Sequence, residues 1–321
     1  MVPRDDPWGE DTVNPRIAVL IPCYNEEAAI ASVVRNFRDA LPEAAVYVYD
    51  NNSRDRTMAV ARAAGAVVRS EPRQGKGNVV RRMFADIEAD IYVLVDGDDT
   101  YDAGAAPAMV AAMRASGCDL LTARRIHTDA AAYRPGHVLG NRLLTGLTAW
   151  LFGVKLSDML SGYRVFSRRF VKSFPFTAEG FGIETELTVH AVRLMMPMEE
   201  MDTRYKERPA GSVSKLNTWR DGFRILRTIG HLVREERPLV FFAAGFAVLA
   251  VLSVLIAVPI VHEFVETGQV PRLPSAILAT GLMLLAFLSL TCGLILDTVT
   301  RGRWEQKRMA YLAIPGPGDS G

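Results

Sequence analysis

Apolar and polar positions in the first part of the chain alternate between two periods. Short β-rich runs at Ile17–Ile21, Val46–Tyr49, Ala66–Arg69, Ile91–Val95 and Asp119–Thr122 predict strands. Between them, Glu26–Ala40, Arg54–Ala64, Lys76–Ala89 and Ala105–Ser116 carry apolar residues at helical spacing and predict amphipathic helices. This alternation predicts an α/β fold: a Rossmann-like, mostly parallel sheet with helices on both faces. Ligands of such sheets bind beyond the carboxyl ends of the strands. Polar residues follow three strands at Pro22–Glu26, Asp50–Ser53 and Asp96–Asp99, so three loops are expected to converge on one crevice.

The pattern changes towards the C-terminal end. Leu239 to Val261 and Leu273 to Leu296 are uncharged runs of 23 and 24 residues. At a helical rise of about 1.5 Å per residue, each is long enough for a hydrocarbon core of about 30 Å, so two transmembrane helices are predicted. Arg204 to Arg237 holds nine Lys/Arg against four acidic residues, and Arg301, Arg303, Lys307 and Arg308 follow the second run. That bias predicts both ends in the cytoplasm and the short loop His262–Arg272 outside. Arg220, Arg224, Arg227, His231 and Arg234 form one helical stripe opposite Phe223, Leu226, Ile229 and Val233. Directly before a span, such a basic amphipathic helix is expected to lie in the headgroup interface. The N-terminal stretch MVPRDDPWGED has no apolar run, so no signal peptide is expected.

Composition excludes several classes. With 37 Lys+Arg against 36 Asp+Glu among 321 residues, the net charge of +1 argues against nucleic acid as a partner. Cys23, Cys118 and Cys292 are too few and too dispersed for a disulfide framework or a zinc ribbon, and the five histidines show no metal-ligand spacing.

The segment YVLVDGDDTYD delivers Asp96, Asp98 and Asp99 from an apolar strand into a loop. Carboxylates two residues apart at a strand end are able to share one Mg²⁺ or Mn²⁺, which would neutralise a diphosphate. A solvated acidic turn is the plainer alternative. Asp50, ending an earlier strand in VYVYDNNS, is either an acceptor for a nucleotide base or ribose or a turn former. Lys76 in GKGN lacks the surrounding pattern of a phosphate-binding P-loop; it either serves near a nucleotide or starts a helix. Cys23 has no neighbour in sequence that would activate it as a nucleophile.

The ordered series IPCYNEE, YDNNSRDRT, RQGKGNVVRRMF and VDGDD resembles the family-2 glycosyltransferases of GT-A fold. SDMLSGYRVFSR and RYKERPAGSVSKL further resemble the polyprenyl-phosphate glycosyltransferases, which are similar to dolichol-phosphate mannose synthase. The resemblance covers residues 16 to 237, and a two-span tail also recurs in that family. It implies that Pro22, Tyr24, Glu26, Val48, Asp50 and Gly97 line the nucleotide of a sugar donor. It assigns Asp96 and Asp98 to the diphosphate and metal, Arg124 to the phosphates, and Arg208 and Lys215 to a mobile basic loop over the donor. Thr100 stands where the family often has a glutamine as metal ligand, so Asp98 and Thr100 are the expected ion contacts. Arg208 and Lys215 are one residue further apart than in the mannose synthases.

These roles imply an inverting enzyme that moves one sugar from a UDP- or GDP-sugar to a polyprenyl (undecaprenyl or dolichyl) phosphate. Such an acceptor is already an anionic nucleophile, so no strong general base is required. Arg142, before an apolar helix predicted over Leu143–Phe152, and Arg164 are candidates for its phosphate, because guanidinium matches phosphate geometry. For Arg164 the alternative is a structural ion pair with Asp158; Glu184 and Glu186 are either a base or helix-positioning residues. A processive polysaccharide synthase is disfavoured by the lack of a QxxRW motif. Another lipid or glycan acceptor, or a non-catalytic scaffold of the same fold, stays open. The expected organisation is a flexible lead (1–15), a GT-A domain (16–217), a juxtamembrane helix (218–237), a transmembrane hairpin (238–297) and a cytoplasmic tail (298–321). The expected location is a bacterial inner membrane, with the catalytic domain cytoplasmic. Gly245, Gly281 and Gly293 suit helix packing in either a monomer or a homo-oligomer.

Overall fold

The computed structural model describes residues 15–127, 157–175, 182–206 and 233–316, together with 146, 230 and 231. The lead over 1–14, Arg142, Arg208, Lys215, all but Gly146 of the helix predicted over Leu143–Phe152, and most of the juxtamembrane helix lie outside the described residues. Two compact units are present: Met1–Ile225 with Lys307–Gly321, and Leu226–Gln306.

The first unit is built on β1 (Ile17–Cys23), α1 (Ile30–Ala40), β2 (Ala45–Asp50), α2 (Thr57–Ala63), β3 (Val67–Ser70), α3 (Lys76–Asp86), β4 (Ile91–Leu94) and α4 (Ala106–Ser116). It continues through β5 (Leu120–His127), β6 (Arg164–Ser167), α5 (Arg168–Ser173), α6 (Ile183–Arg193) and β7 (Met198–Tyr205). The strands form one mixed sheet in the order β3-β2-β1-β4-β6-β5-β7. β1 to β4 are parallel, whereas β6 runs against both β4 and β5, and β5 and β7 are parallel again. The reversal falls on a four-residue strand that begins with an arginine and carries little sequence signal. β7 (MEEMDTRY) was equally hidden because it lies at the sheet edge, where charged residues discourage pairing with another chain.

Side-chain alternation along the pleat divides the core into two layers. Ile17, Val19, Ile21 and Cys23 of β1 join α1, α2 and α4 in one layer, while Ala18 and Leu20 join α3, α5 and α6 in the other. A fully buried side chain such as Phe37 or Phe84 contributes about 1.5–3 kcal/mol. The second layer also contains Tyr311, near the end of the chain. Its hydroxyl donates to Asp119 Oδ2 at 2.7 Å, and the Arg169 guanidinium lies 4.3 Å from its ring centre. Tyr311 is therefore part of the α/β core, and the chain from Lys307 belongs to the first unit, where the sequence suggested a separate tail from 298.

The second unit contains most of two long helices, α7 (Pro238–Thr267) and α8 (Leu273–Leu312). Both are apolar and long enough to cross a membrane, and they contain the two predicted spans. Ser253 Oγ donates to the Ala279 carbonyl at 2.7 Å, and Ser289 Oγ donates to that of Phe242 at 3.0 Å. A methyl group on Gly293 would sit 2.8 Å from Phe242 Cβ, so glycine permits this close crossing.

Candidate active site

The carboxyl ends of β1, β2 and β4 open into a cleft of about 310 Å³, within the size range of small-ligand sites. Pro22, Cys23, Tyr24 and Glu26 line it from the first loop, Asn51 from the second, and Asp96, Gly97 and Asp98 from the third. Gln74 and Gly75 just before α3, with Lys76 and Val79 of α3, complete it. Each strand-end loop passes through the left-handed region at an Asn or Asp: Asn25 at φ 54°, Asn52 at 65° and Asp99 at 55°. These residue types tolerate that region best after glycine.

Side chains knit the loops together. Asn25 Oδ1 accepts from Arg54 N at 2.8 Å, and Ser53 Oγ accepts from Asn25 N at 2.8 Å. The Asn51 amide donates to the Glu71 and Arg73 carbonyls at 2.9 and 2.8 Å, while its oxygen accepts from Gly75 N at 2.6 Å. Asn51 thereby ties the end of β2 to the start of α3. Asp50 is almost fully buried; its Oδ2 accepts from Ser53 N at 3.0 Å, whereas Oδ1 is buried with no hydrogen-bond partner. A buried unpaired acceptor is costly, and Asp50 itself is not among the cleft-lining residues, which take Asn51 from this loop.

Charge concentrates on the cleft floor. Lys76 Nζ lies 2.5 Å from Asp96 Oδ1 and 2.6 Å from Glu184 Oε1. Burial disfavours the ammonium, but the two carboxylates outweigh it and hold Lys76 well above the ordinary lysine range. Burial, together with repulsion from Asp98 and Glu184, raises Asp96 above the usual carboxylate range. For Glu184 the upward push of burial is outweighed by Lys76, and its net direction is down. Burial and four nearby carboxylates push the Cys23 thiol well up, so it is no thiolate nucleophile.

The model of the family described as "Glycosyl transferase family 2" matches residues 18–174. Glycosyltransferase AglJ of Haloferax volcanii is 32% identical over 302 residues, covering 91% of this chain and 96% of that relative. The chain belongs to glycosyl transferase family 2. A dolichyl-phosphate hexose transferase of the same organism is 29% identical over 69% of this chain and 95% of its own length. Glucosyl-3-phosphoglycerate synthase of Mycobacterium tuberculosis, solved with Mn²⁺, UDP and glucosyl-3-phosphoglycerate, aligns with a TM-score of 0.56 at 25% identity, over 68% of this chain and 79% of that one. The sheet is accordingly of GT-A type.

Several residues of this glycosyltransferase lie elsewhere than the sequence suggested. Val48 is fully buried, because the pleat turns its side chain into the first core layer. Arg124 is outside the cleft lining and forms a two-pronged pair with Asp202 of β7. Arg164 is wholly enclosed: it donates to the Ser161 carbonyl at 3.0 Å, the Met159 carbonyl at 2.5 Å and Thr188 Oγ1 at 2.9 Å. It organises the 159–162 turn and is closed to an acceptor phosphate. Asp158 pairs instead with Arg125, at 2.7 and 2.8 Å. The turn matters because a Cβ on Gly162 would fall 2.3 Å from Asp96 Oδ2, so glycine leaves room for that carboxylate. Thr100 is buried, lies outside the cleft lining and donates to Asp98 Oδ1 at 2.6 Å, which holds that carboxylate in place.

Among the described residues no cluster of three or more acidic, His or Cys side chains is arranged to hold a metal. Asp96 and Asp98 nevertheless offer hard oxygen donors in one cleft, a set that fits Mg²⁺ or Mn²⁺ completed by phosphate oxygens. Sequence reasoning missed Asn51 and the partnership of Lys76 with Glu184. The GKGN segment was the available signal for Lys76; its partner lies 108 residues away.

Proposed function

We propose that the protein transfers one hexosyl group from a nucleotide-diphosphate sugar to a polyprenyl phosphate at the cytoplasmic face of a bacterial inner membrane, with inversion. The observation that carries this reading is one cleft joining Asp96, Asp98 and Lys76; Asp50, whose buried Oδ1 is unpaired, immediately precedes the cleft-lining Asn51. The named relative acting on dolichyl phosphate and the two apolar helices support the lipid acceptor.

Asp50 Oδ1 accepts an N–H of the donor base, and Lys76 supplies fixed positive charge to the diphosphate. Asp96 and Asp98 would hold a divalent ion, which stabilises negative charge on the leaving diphosphate. Thr100 keeps Asp98 oriented, and Gly162 leaves space for Asp96. A phosphate oxygen of the acceptor attacks the anomeric carbon, and the carbon–oxygen bond to the diphosphate breaks, releasing the nucleoside diphosphate. The acceptor phosphate already carries the attacking charge, so no side chain has to remove a proton. Arg142, Arg208 and Lys215 are proposed to close over donor and acceptor phosphates.

The test is transfer in detergent with undecaprenyl phosphate, Mn²⁺ and a panel of labelled UDP- and GDP-sugars. One donor is expected to label the lipid fraction, EDTA to stop the reaction, and Asp98→Asn to lower the rate at least about 100-fold. If no donor labels lipid while a control synthase works in the same detergent, the polyprenyl-phosphate acceptor is wrong. An Asp98→Asn protein with undiminished transfer would remove the acidic pair from the mechanism.

A further inference from the structure

We propose that Glu184 is a positioning residue of the donor site, acting through Lys76. The inference rests on the nucleotide-sugar reading and extends it to a residue outside the strand-end loops. Lys76 is the first residue of α3, preceded by Gly75 at φ 127°, a backbone conformation suited to glycine. Its ammonium bridges Asp96 of the β4 loop and Glu184 in the first turn of α6. The first turn of a helix presents free backbone N–H groups, which favour a carboxylate there.

A second pair, Arg81 with Glu186, links the same two helices. The two pairs differ in what they face. The Arg81 and Glu186 side chains are only 11% and 5% exposed, so they staple helix to helix. Lys76 lines the cleft beside Gly97 and Asp98 and is 31% exposed. A ligand entering the cleft meets Lys76, and Glu184 stands behind it.

Without Glu184, the ammonium would settle on Asp96 alone and compete with a bound cation for that carboxylate. With Glu184, it is anchored from the α6 side and stays on the cleft wall, where a diphosphate would lie. Glu184 therefore sets where the positive charge sits and shares the ammonium that would otherwise rest on Asp96 alone.

The experiment uses the full chain in detergent. Calorimetric titration with UDP and with GDP, each with Mn²⁺, is run on wild type, Glu184→Gln, Lys76→Met, the double variant and Glu186→Gln, with a thermal melt of each. Glu184→Gln is expected to weaken binding of the preferred nucleotide about tenfold at an unchanged melting temperature. The double variant should bind no more weakly than Lys76→Met, because a residue acting through Lys76 has nothing further to lose. Glu186→Gln should lower the melting temperature and leave nucleotide affinity intact.

Additive losses in the double variant would overturn the inference. So would a Glu184→Gln protein that melts early yet binds nucleotide normally. If wild type binds neither nucleotide, the nucleotide-sugar reading fails first and this inference falls with it. If wild type binds and Glu184→Gln binds equally well, the inference alone fails.

Discussion

Arg164 and His190 are both buried, and they meet the cost of desolvation differently. Arg164 stays surrounded by two carbonyls and a threonine hydroxyl. His190, with its Nε2 3.1 Å from Ser173 Oγ and ring edges of Phe170 and Phe174 around it, takes the neutral form. Burial, with some repulsion from Lys307, lowers its pKa to about 3. An exposed histidine titrates near 6.5. Between those values the unfolded chain binds a proton that the folded chain does not, so stability falls as pH drops from about 6.5 towards 3. At pH 5 His190 alone removes about 2 kcal/mol, because each pH unit inside the window is worth about 1.4 kcal/mol. Thermal melts at pH 7 and pH 5 measure the loss, and His190→Gln should shrink the difference between them. An undiminished difference in that variant would assign the acid sensitivity to other groups.

The elements show how far local pattern reaches. Asp96 and Asp98 were legible because an apolar strand delivers them, and the strand needs only its own residues to be recognised. Arg164 stayed open between an acceptor contact and a structural ion pair because its environment comes from Met159, Ser161 and Thr188, which meet only once β6 lies beside α6. The last turns of α8 carry the same lesson. Tyr311 and Arg308 follow an apolar run and read as a basic tail, yet Tyr311 is 6% exposed and Arg308 donates to the Leu194 carbonyl at 3.2 Å. Tyr311→Phe removes one hydrogen bond to Asp119, which keeps Ser167 and Arg169; the expected cost is about 1 kcal/mol. Ending the chain at Gln306 removes the ring, its burial and its contact with Arg169, at an expected cost of about 3–5 kcal/mol. Fluorescence-monitored melting in detergent reads both, and a shortened chain that melts like wild type would make the segment peripheral.

At the scale of the whole molecule, the charge flanking the two apolar helices sets the expected topology. On the positive-inside rule, the basic residues of 204–237 and of 301–308 are expected on the cytoplasmic side and the segment Gly268–Arg272 outside. Cys23 and Cys118 are buried and Cys292 is exposed, so Cys292→Ala provides a background for labelling. In spheroplasts of that background, a cysteine at Gln269 should react with an impermeant maleimide, whereas one at Arg301 should react only after lysis. The reverse pattern would put the α/β unit outside and separate it from cytoplasmic nucleotide-sugars.

The strand–helix alternation, the three polar strand ends, the acidic segment after β4 and the two apolar runs were determined by the sequence alone. Each is a pattern among neighbouring residues, and burial of a strand face or a lipid-length helix imposes it locally. The reversed strand β6, the charged edge β7, the Lys76 bridge between Asp96 and Glu184, the enclosure of Arg164 and the docking of Tyr311 on Asp119 were decided by the tertiary structure. These bring together groups up to 192 residues apart, and the desolvation and charge pairing that fix them exist only once the sheet has closed over its two cores.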